Sequence, residues 1–257
     1  EMVDKFYETH RKELDKYDAF ICAYPPIFLK LFEQFNKPIL VISATRYDFP
    51  VAGDKNRLAW LEDSLKNNSN IIKIANNQFD QKYCENFLGN KWEWIPSLCD
   101  YTNSHYSPKS NNFLYFSKLQ IELPECFVNK DSLGKYTWQD LYSYKGIVHV
   151  PYNVSTMSIF EQNQAQIPLH FPTMDFSLDL IKQGIAIFSE IVFPNPLPER
   201  QAKKFLNREW LSYSDFYNGT IKCNYFDSGF DIKNEKIPFK NKDKVYNKWI
   251  KLLGLIK

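Results

Sequence analysis

Residues 151–161 read PYNVSTMSIFE, a proline-led run of hydroxyl and amide side chains that gives way to an apolar-periodic stretch with a carboxylate inside it. Asn153, Ser155 and Thr156 are residue types that cap helix N-termini. A helix starting there aims its free N–H groups and the positive end of its dipole at whatever lies ahead, the arrangement that stabilises a diphosphate. Glu161, one to two turns further on, is spaced to reach a pair of ribose hydroxyls. Pro151, Tyr152 and Met157 belong to the same loop and helix start. Any αβ unit can carry a capped helix after a strand, and a glutamate in such a helix is most often a solvated surface charge. Spacing alone therefore defines a candidate cradle and leaves its ligand open.

The elements that must present this loop are legible on both sides of it. Ile147, Val148 and Val150 are β-branched and apolar, with Gly146 before them and Pro151 after, which suits a short buried strand of a parallel sheet. Met157, Phe160 and Ala165 fall in a broadly helical pattern, and Ile167, Pro168 and Leu169 open the next strand. Residues 144–172 thus run strand, tight loop, helix, strand.

The strand, the Pro-containing loop with Ser and Thr, and Glu161 followed after six residues by Pro168 resemble the donor-binding half of GT-B glycosyltransferases, including exostosin-like enzymes. The resemblance covers the C-terminal half best and extends to the xylosyltransferase-type proteins of large DNA viruses such as chloroviruses. It implies an α/β protein of two Rossmann-like domains facing a cleft, with a C-terminal helix returning to the N-terminal domain. It also implies a nucleotide-sugar co-substrate, a UDP-sugar such as UDP-xylose, with transfer to a glycan or glycoprotein acceptor. Three departures stand out. Gln166 occupies the position, two before the proline, where the family commonly has glycine, and no glycine sits in the phosphate loop, so approach to the phosphates rests on Ser155, Thr156 and the helix end. The residue eight before Glu161 is Asn153, so the paired-glutamate pattern of many retaining enzymes is missing; this favours inversion, with a protein carboxylate as base.

Other loops after strands are where open α/β sheets bind ligands. Ser117 and Lys118 follow NFLYF, where the resemblance puts a basic residue facing the donor diphosphate; Lys118 reads equally well as a surface lysine. Tyr136 lies in GKYTW, where the resemblance puts the nucleobase, and core packing explains its ring as readily. In the N-terminal half, Thr45-Arg46-Tyr47-Asp48 follows PILVISA. Asp48 is the first candidate for the base that takes the acceptor proton and Asp80 the second. Arg46 is the candidate that steadies phosphate charge or orients the acceptor. Either carboxylate could instead cap a helix or pair with Arg46. Asn76, Asn77 and residues 97–99 are expected on the acceptor side.

Composition excludes several classes. Among 257 residues, 32 Lys and Arg against 30 Asp and Glu leave a net charge of +2, too balanced for nucleic-acid or membrane binding by bulk electrostatics. The five cysteines, at 22, 84, 99, 126 and 223, show no CxxC spacing, so free thiols in a reducing, cytoplasmic setting are expected, host cytoplasm if the source is viral. A sequon at Asn153-Val154-Ser155 inside the phosphate loop agrees, since a glycan there would block it. No apolar run approaches the roughly 20 residues of a membrane-spanning helix. His10, His105, His149 and His170 have no metal-ligand spacing, and no Asp-x-Asp, HExxH, GxSxG or P-loop motif occurs, so no metal or other cofactor is expected. Only eight glycines and an abundance of Asn, Lys, Phe, Tyr and Ile suggest an AT-rich coding sequence.

Along the chain the pattern alternates. Helices are expected at 1–14, 27–35, 55–66 and 78–87, and strands at 18–22, 38–43, 71–75 and 92–95, an αβ rhythm that argues for a parallel sheet. A helix comes first, as in a chain lacking the opening strand of a complete Rossmann unit. The polar run 100–112 reads as a linker between an N-terminal domain, 1–107, and a nucleotide-sugar domain, 108–240. The second domain is expected to hold strands at 112–117 and 125–128 and helices at 138–142, 176–183, 199–205 and 210–217, with a further strand at 186–188. The crossover segment 241–257 carries a helix over 242–253, with apolar positions for docking and a solvated lysine face. Two other functions fit the same pattern: a nucleotide-sugar or glycan-binding module that has lost its chemistry, and a nucleotide-sugar epimerase.

Overall fold

The structure, a computed structural model, describes residues 1–44, 46–48, 50–51, 53–117, 121–150, 156–185, 223–230, 232, 242–254 and 256. The chain divides into two compact units, Glu1–Pro96 with Asn241–Lys257, and Ser97–Lys240. Each is built on its own parallel sheet.

In the first unit, β1 (Phe20–Cys22), β2 (Ile39–Ser43), β3 (Ile71–Ala75) and β4 (Glu93–Trp94) lie side by side in chain order, all parallel. Every crossover steps the same way, and because such crossovers are right-handed the intervening segments belong on one face. The register agrees: Phe20 and Lys73 fall on one side of the sheet, where Phe20 stacks on Phe32 at 4.7 Å and Lys73 Nζ donates to the Leu65 carbonyl at 3.3 Å. Ile21 points the other way and is 63% exposed. Helix α1 (Met2–Leu14) precedes the sheet. Helix α2 (Lys55–Asn67) is capped by the Asp54 carboxylate, which accepts from the Asn56 and Arg57 amides, and α3 (Gln78–Leu88) by Asn77. Leu61, Leu65, Phe79 and Leu88 of the helices are buried, as are Leu40, Val41 and Ile74 of the strands.

The segment expected as a helix at 27–35 is instead two 3-10 turns, Pro26–Leu31 and Glu33–Phe35, closed by Asn36 at φ +57°. The reason is the period of its apolar side chains. Pro26, Leu29, Phe32 and Phe35 recur every third residue, which lines them up along a 3-10 helix and would scatter them around an α-helix.

In the second unit, β5 (Phe113–Tyr115), β6 (Phe127–Asn129), β7 (Gly146–Val148), β8 (Leu169–Pro172) and β9 (Asn224–Phe226) form a parallel sheet in the order β6-β5-β7-β8-β9. Helices α4 (Trp138–Leu141), α5 (Met157–Gln164) and α6 (Met174–Lys182) lie between strands in sequence. Phe113, Tyr115, Phe127, Val148, Val150, Leu180 and Phe226 pack into one core. Gly146 is required by crowding: a Cβ there would fall 2.9 Å from His170 Nε2 and 3.1 Å from the Pro168 carbonyl. Strand β9, too short for an alternation pattern to show, was not expected from the sequence. The strand expected at 186–188 and the helices expected at 199–205 and 210–217 lie outside the described residues.

The units part at Pro96, ahead of the 107/108 boundary expected from composition, and the polar run 100–112 is not a bare linker. Its backbone is fixed within the second unit: Tyr106 N–H donates to the Ala165 carbonyl at 2.9 Å, Ser107 N–H to Tyr142 at 3.1 Å and Lys109 N–H to Ser143 at 2.7 Å. Polarity without periodicity signals irregular backbone; it does not signal unpacked backbone. At the other end of the chain, α7 (Lys242–Leu253) belongs to the first unit, burying Val245 and Leu252 and setting Lys248 Nζ 2.6 Å from the Trp94 carbonyl.

Candidate functional site

The second sheet contains a reversal. From β5 the chain moves outward to β6, then returns to the other side of β5 for β7 and continues to β8 and β9. Adjacent crossovers leaving in opposite directions open a crevice outside the carboxyl ends of β5 and β7, the topological switch point where such sheets take their ligands. Among the described residues of the first sheet no such reversal occurs.

The two strand ends at the switch point are stitched together. Phe116 N–H donates to the Val148 carbonyl at 2.8 Å, and the Ser117 hydroxyl to the Val150 carbonyl at 2.9 Å. Ser117 therefore holds Val150, two residues past the end of β7. Thr156 is the N-cap of α5 and makes no side-chain capping bond to the helix, while Met157 in its first turn is 46% exposed. Tyr136 is exposed, in the loop between β6 and α4. Lys118, Pro151, Tyr152, Asn153 and Ser155 lie outside the described residues.

Glu161 is not a solvated surface charge. It is buried in the second turn of α5, and the Tyr101 hydroxyl donates to its Oε1. Desolvation and this bond push the Tyr101 phenol up, and burial followed by the Glu161 charge pushes the nearby Cys99 thiol up to about 11. Tyr101 sits on the 3-10 turn Asp100–Thr102, which is held to α5 by Gln164 Nε2 donating to Asp100 Oδ1 at 3.2 Å. Tyr101 carried no sequence signal, because the polar run around it has no periodicity to place it against α5.

The end of α5 explains why a glycine suits the position of Gln166. Gln166 N–H donates to the Asn163 carbonyl and Ile167 N–H to the Gln162 carbonyl, the two bonds of a Schellman motif. The motif needs a left-handed residue, and Gln166 has φ +65°.

Behind the switch-point loops, His149 at the end of β7 is buried between the rings of Phe116, 5.5 Å away, and Phe171, 5.4 Å away. Burial lowers it to about 4, so the ring is neutral at pH 7. One ring nitrogen bonds the Phe116 backbone and Nε2 lies 2.5 Å from Gln162 Oε1. A neutral ring that donates to a carbonyl through one nitrogen has only a lone pair at the other, so the amide must offer it an N–H. Turning the Gln162 amide by half a turn does this and gives Gln162 Nε2, which otherwise finds no partner, its acceptor. His149 and Gln162 thereby tie the ends of β5 and β7 to α5.

In the first unit the candidate carboxylates are engaged. Arg46 Nη2 lies 2.5 Å from Asp48 Oδ2 and its Nε 3.1 Å from Oδ1, a two-point pair with both side chains about nine-tenths buried. Tyr83 donates to Asp48 Oδ2 at 3.2 Å, and the guanidinium lies 4.9 Å from the Tyr83 ring centroid. Burial alone would lower Arg46, and bonding and charge from Asp48 and Tyr83 together more than offset this, leaving it raised. Asp80 is buried in the first turn of α3, where Asn77 Nδ2 donates to its Oδ2 at 2.5 Å and its own N–H donates to Asn77 Oδ1 at 2.7 Å. Asn77 is thus a capping residue as well as a neighbour of Asn76. Among the described residues no group of three or more His, Cys, Asp or Glu is placed to hold a metal ion. No helix among them is long and apolar enough to cross a membrane.

No known protein-family model matches this chain, and no curated protein matches it either.

Proposed function

We propose that the second unit binds a nucleotide at the β5/β7 switch point and that the chain is a glycosyltransferase using a nucleotide-sugar donor. The observation that carries the nucleotide reading is the strand order β6-β5-β7-β8-β9, whose reversal falls at the loop and helix start that the residue types at 151–161 single out. Transfer, a GT-B arrangement and a UDP-sugar such as UDP-xylose follow from the resemblance in the same residues. Glu161 would then accept from the ribose once Tyr101 releases it, and the departing diphosphate would meet the N-terminal amides of α5. Direct displacement at the anomeric carbon would need a carboxylate to take the acceptor hydroxyl proton. Asp48 is the candidate, with Arg46 beside it.

The engagement of Asp48 by Arg46 and Tyr83 favours one alternative, a nucleotide-sugar-binding module without turnover. Both oxygens of that carboxylate are already engaged, so it must be freed before it can meet an acceptor hydroxyl. The two readings separate in one experiment: binding of UDP- and GDP-sugars by thermal shift, alongside donor hydrolysis and transfer to glycan acceptors with and without EDTA. Turnover that is lost in Asp48→Asn while binding is kept supports the transferase with Asp48 as base. Binding with no turnover of any donor supports the module. A chain stabilised by none of the nucleotides refutes both.

A further inference from the structure

Beyond the loop that the sequence singles out, the carboxyl edge of the second sheet carries a cation at the neighbouring strand. Register pairs Tyr115 of β5 with Asn129 of β6, so the next residues along, Phe116 and Lys130, leave the sheet side by side. Lys130 is fixed at its backbone by Asn129, whose Oδ1 accepts from the Asp131 amide at 2.9 Å and whose carbonyl accepts from the Ser132 hydroxyl at 2.7 Å. Its side chain is 24% exposed, and Nζ lies 4.9 Å from the centroid of the Phe116 ring. The same ring lies 5.5 Å from His149 at the end of β7. Phe116 therefore lies between Lys130 and His149, across the ends of β6, β5 and β7.

We propose that Lys130 is a phosphate-binding residue of the switch-point site, carried over the Phe116 ring to meet the diphosphate of a nucleoside diphosphate; this rests on the nucleotide reading above. Among the described residues at these three strand ends, the positive charge is that of Lys130, since His149 is held neutral by burial. The Asp131 carboxylate is 3.5 Å away and 59% exposed, a solvated pair that binds Lys130 weakly. An ammonium laid against an aromatic face keeps its charge while losing part of its hydration, which lowers the cost of exchanging water for phosphate oxygen. The α5 amides and Lys130 would then contact the anion from the β7 and β6 sides of β5.

The test is calorimetric titration of the full chain with UDP, GDP, ADP and CDP, followed by the best of these and its parent nucleoside on Lys130→Met and Lys130→Arg. Lys130→Met is expected to weaken the diphosphate about tenfold or more while leaving the nucleoside unchanged, and to flatten the dependence of diphosphate binding on salt. Lys130→Arg, which keeps the charge, is expected to retain most of the affinity and shows that the position tolerates change without unfolding. Diphosphate binding by Lys130→Met within about twofold of the parent chain overturns the assignment. So does an equal loss of nucleoside and diphosphate, which would make Lys130 a packing residue. A parent chain that binds none of the four diphosphates refutes the nucleotide reading itself, a result distinct from either of these.

Discussion

His149 should make the second unit sensitive to acid in a defined window. Burial takes the imidazole from its ordinary 6.5 to about 4, and its described neighbours Phe116, Phe171 and Gln162 carry no charge that could offset this. Below pH 6.5 the unfolded chain binds a proton at this position that the folded chain refuses. The stability that neutral His149 contributes is therefore complete above pH 6.5, and it is lost as the pH falls toward 4. With those two values the loss at pH 5.5 is about 1.4 kcal/mol, rising to about 3 kcal/mol at pH 4. His149→Phe removes the titration while leaving an aromatic ring between Phe116 and Phe171. Amide hydrogen exchange in β5, β7 and β8 reads the second unit alone, which a whole-chain melt of two units would not. The parent chain should lose protection there between pH 7 and pH 5.5, corrected for intrinsic exchange, by about 1.2 kcal/mol more than His149→Phe does. Parallel pH profiles for the two proteins would refute the reasoning, because the carboxylates that also titrate in this range are common to both.

Replacing Gln166 by glycine should stabilise the second unit by up to about 1 kcal/mol, because the Schellman position at φ +65° strains a side-chain-bearing residue more than glycine's extra freedom costs; a chemical-denaturation midpoint that falls would contradict this. Arg46→Met leaves Asp48 buried with Tyr83 and no cation, and should destabilise the first unit by about 3 kcal/mol at pH 7. An Arg46→Met chain whose denaturation midpoint matches the parent's would contradict this.

What the sequence shows of this protein follows the reach of each signal. Strands such as Ile39–Ser43 and Ile71–Ala75 are short apolar segments rich in Ile and Val, the second broken only by Lys73, between polar breaks, which is the signal a buried parallel strand gives. The amphipathic period of Lys242–Leu253 gives that helix its bounds as well as its docking face. The 3-10 turns at Pro26–Leu31 and Glu33–Phe35 replace the helix expected over 27–35 because the apolar period there is three residues. The switch point is invisible residue by residue: strand order is set by which β-rich segments pair, and Phe113–Tyr115 carries no mark that places it between Phe127–Asn129 and Gly146–Val148. The partners of the candidate residues are hidden for the same reason. Asp48 and Arg46 are two apart and their pairing was among the possibilities, whereas Tyr83, Tyr101 and Lys130 reach their partners through the fold.

The bond from Tyr101 to Glu161 has a consequence for the rate at which a ligand could be captured. Any hydroxyl that is to bond Glu161 must first displace the phenol already there, so capture becomes an exchange of one donor for another. The affinity observed would then be the intrinsic one multiplied by the fraction of molecules in which Tyr101 has swung clear. Association would level off at high ligand concentration, at the rate of that swing. The same tether that shields a buried carboxylate in the empty protein would act as a clock on its filling.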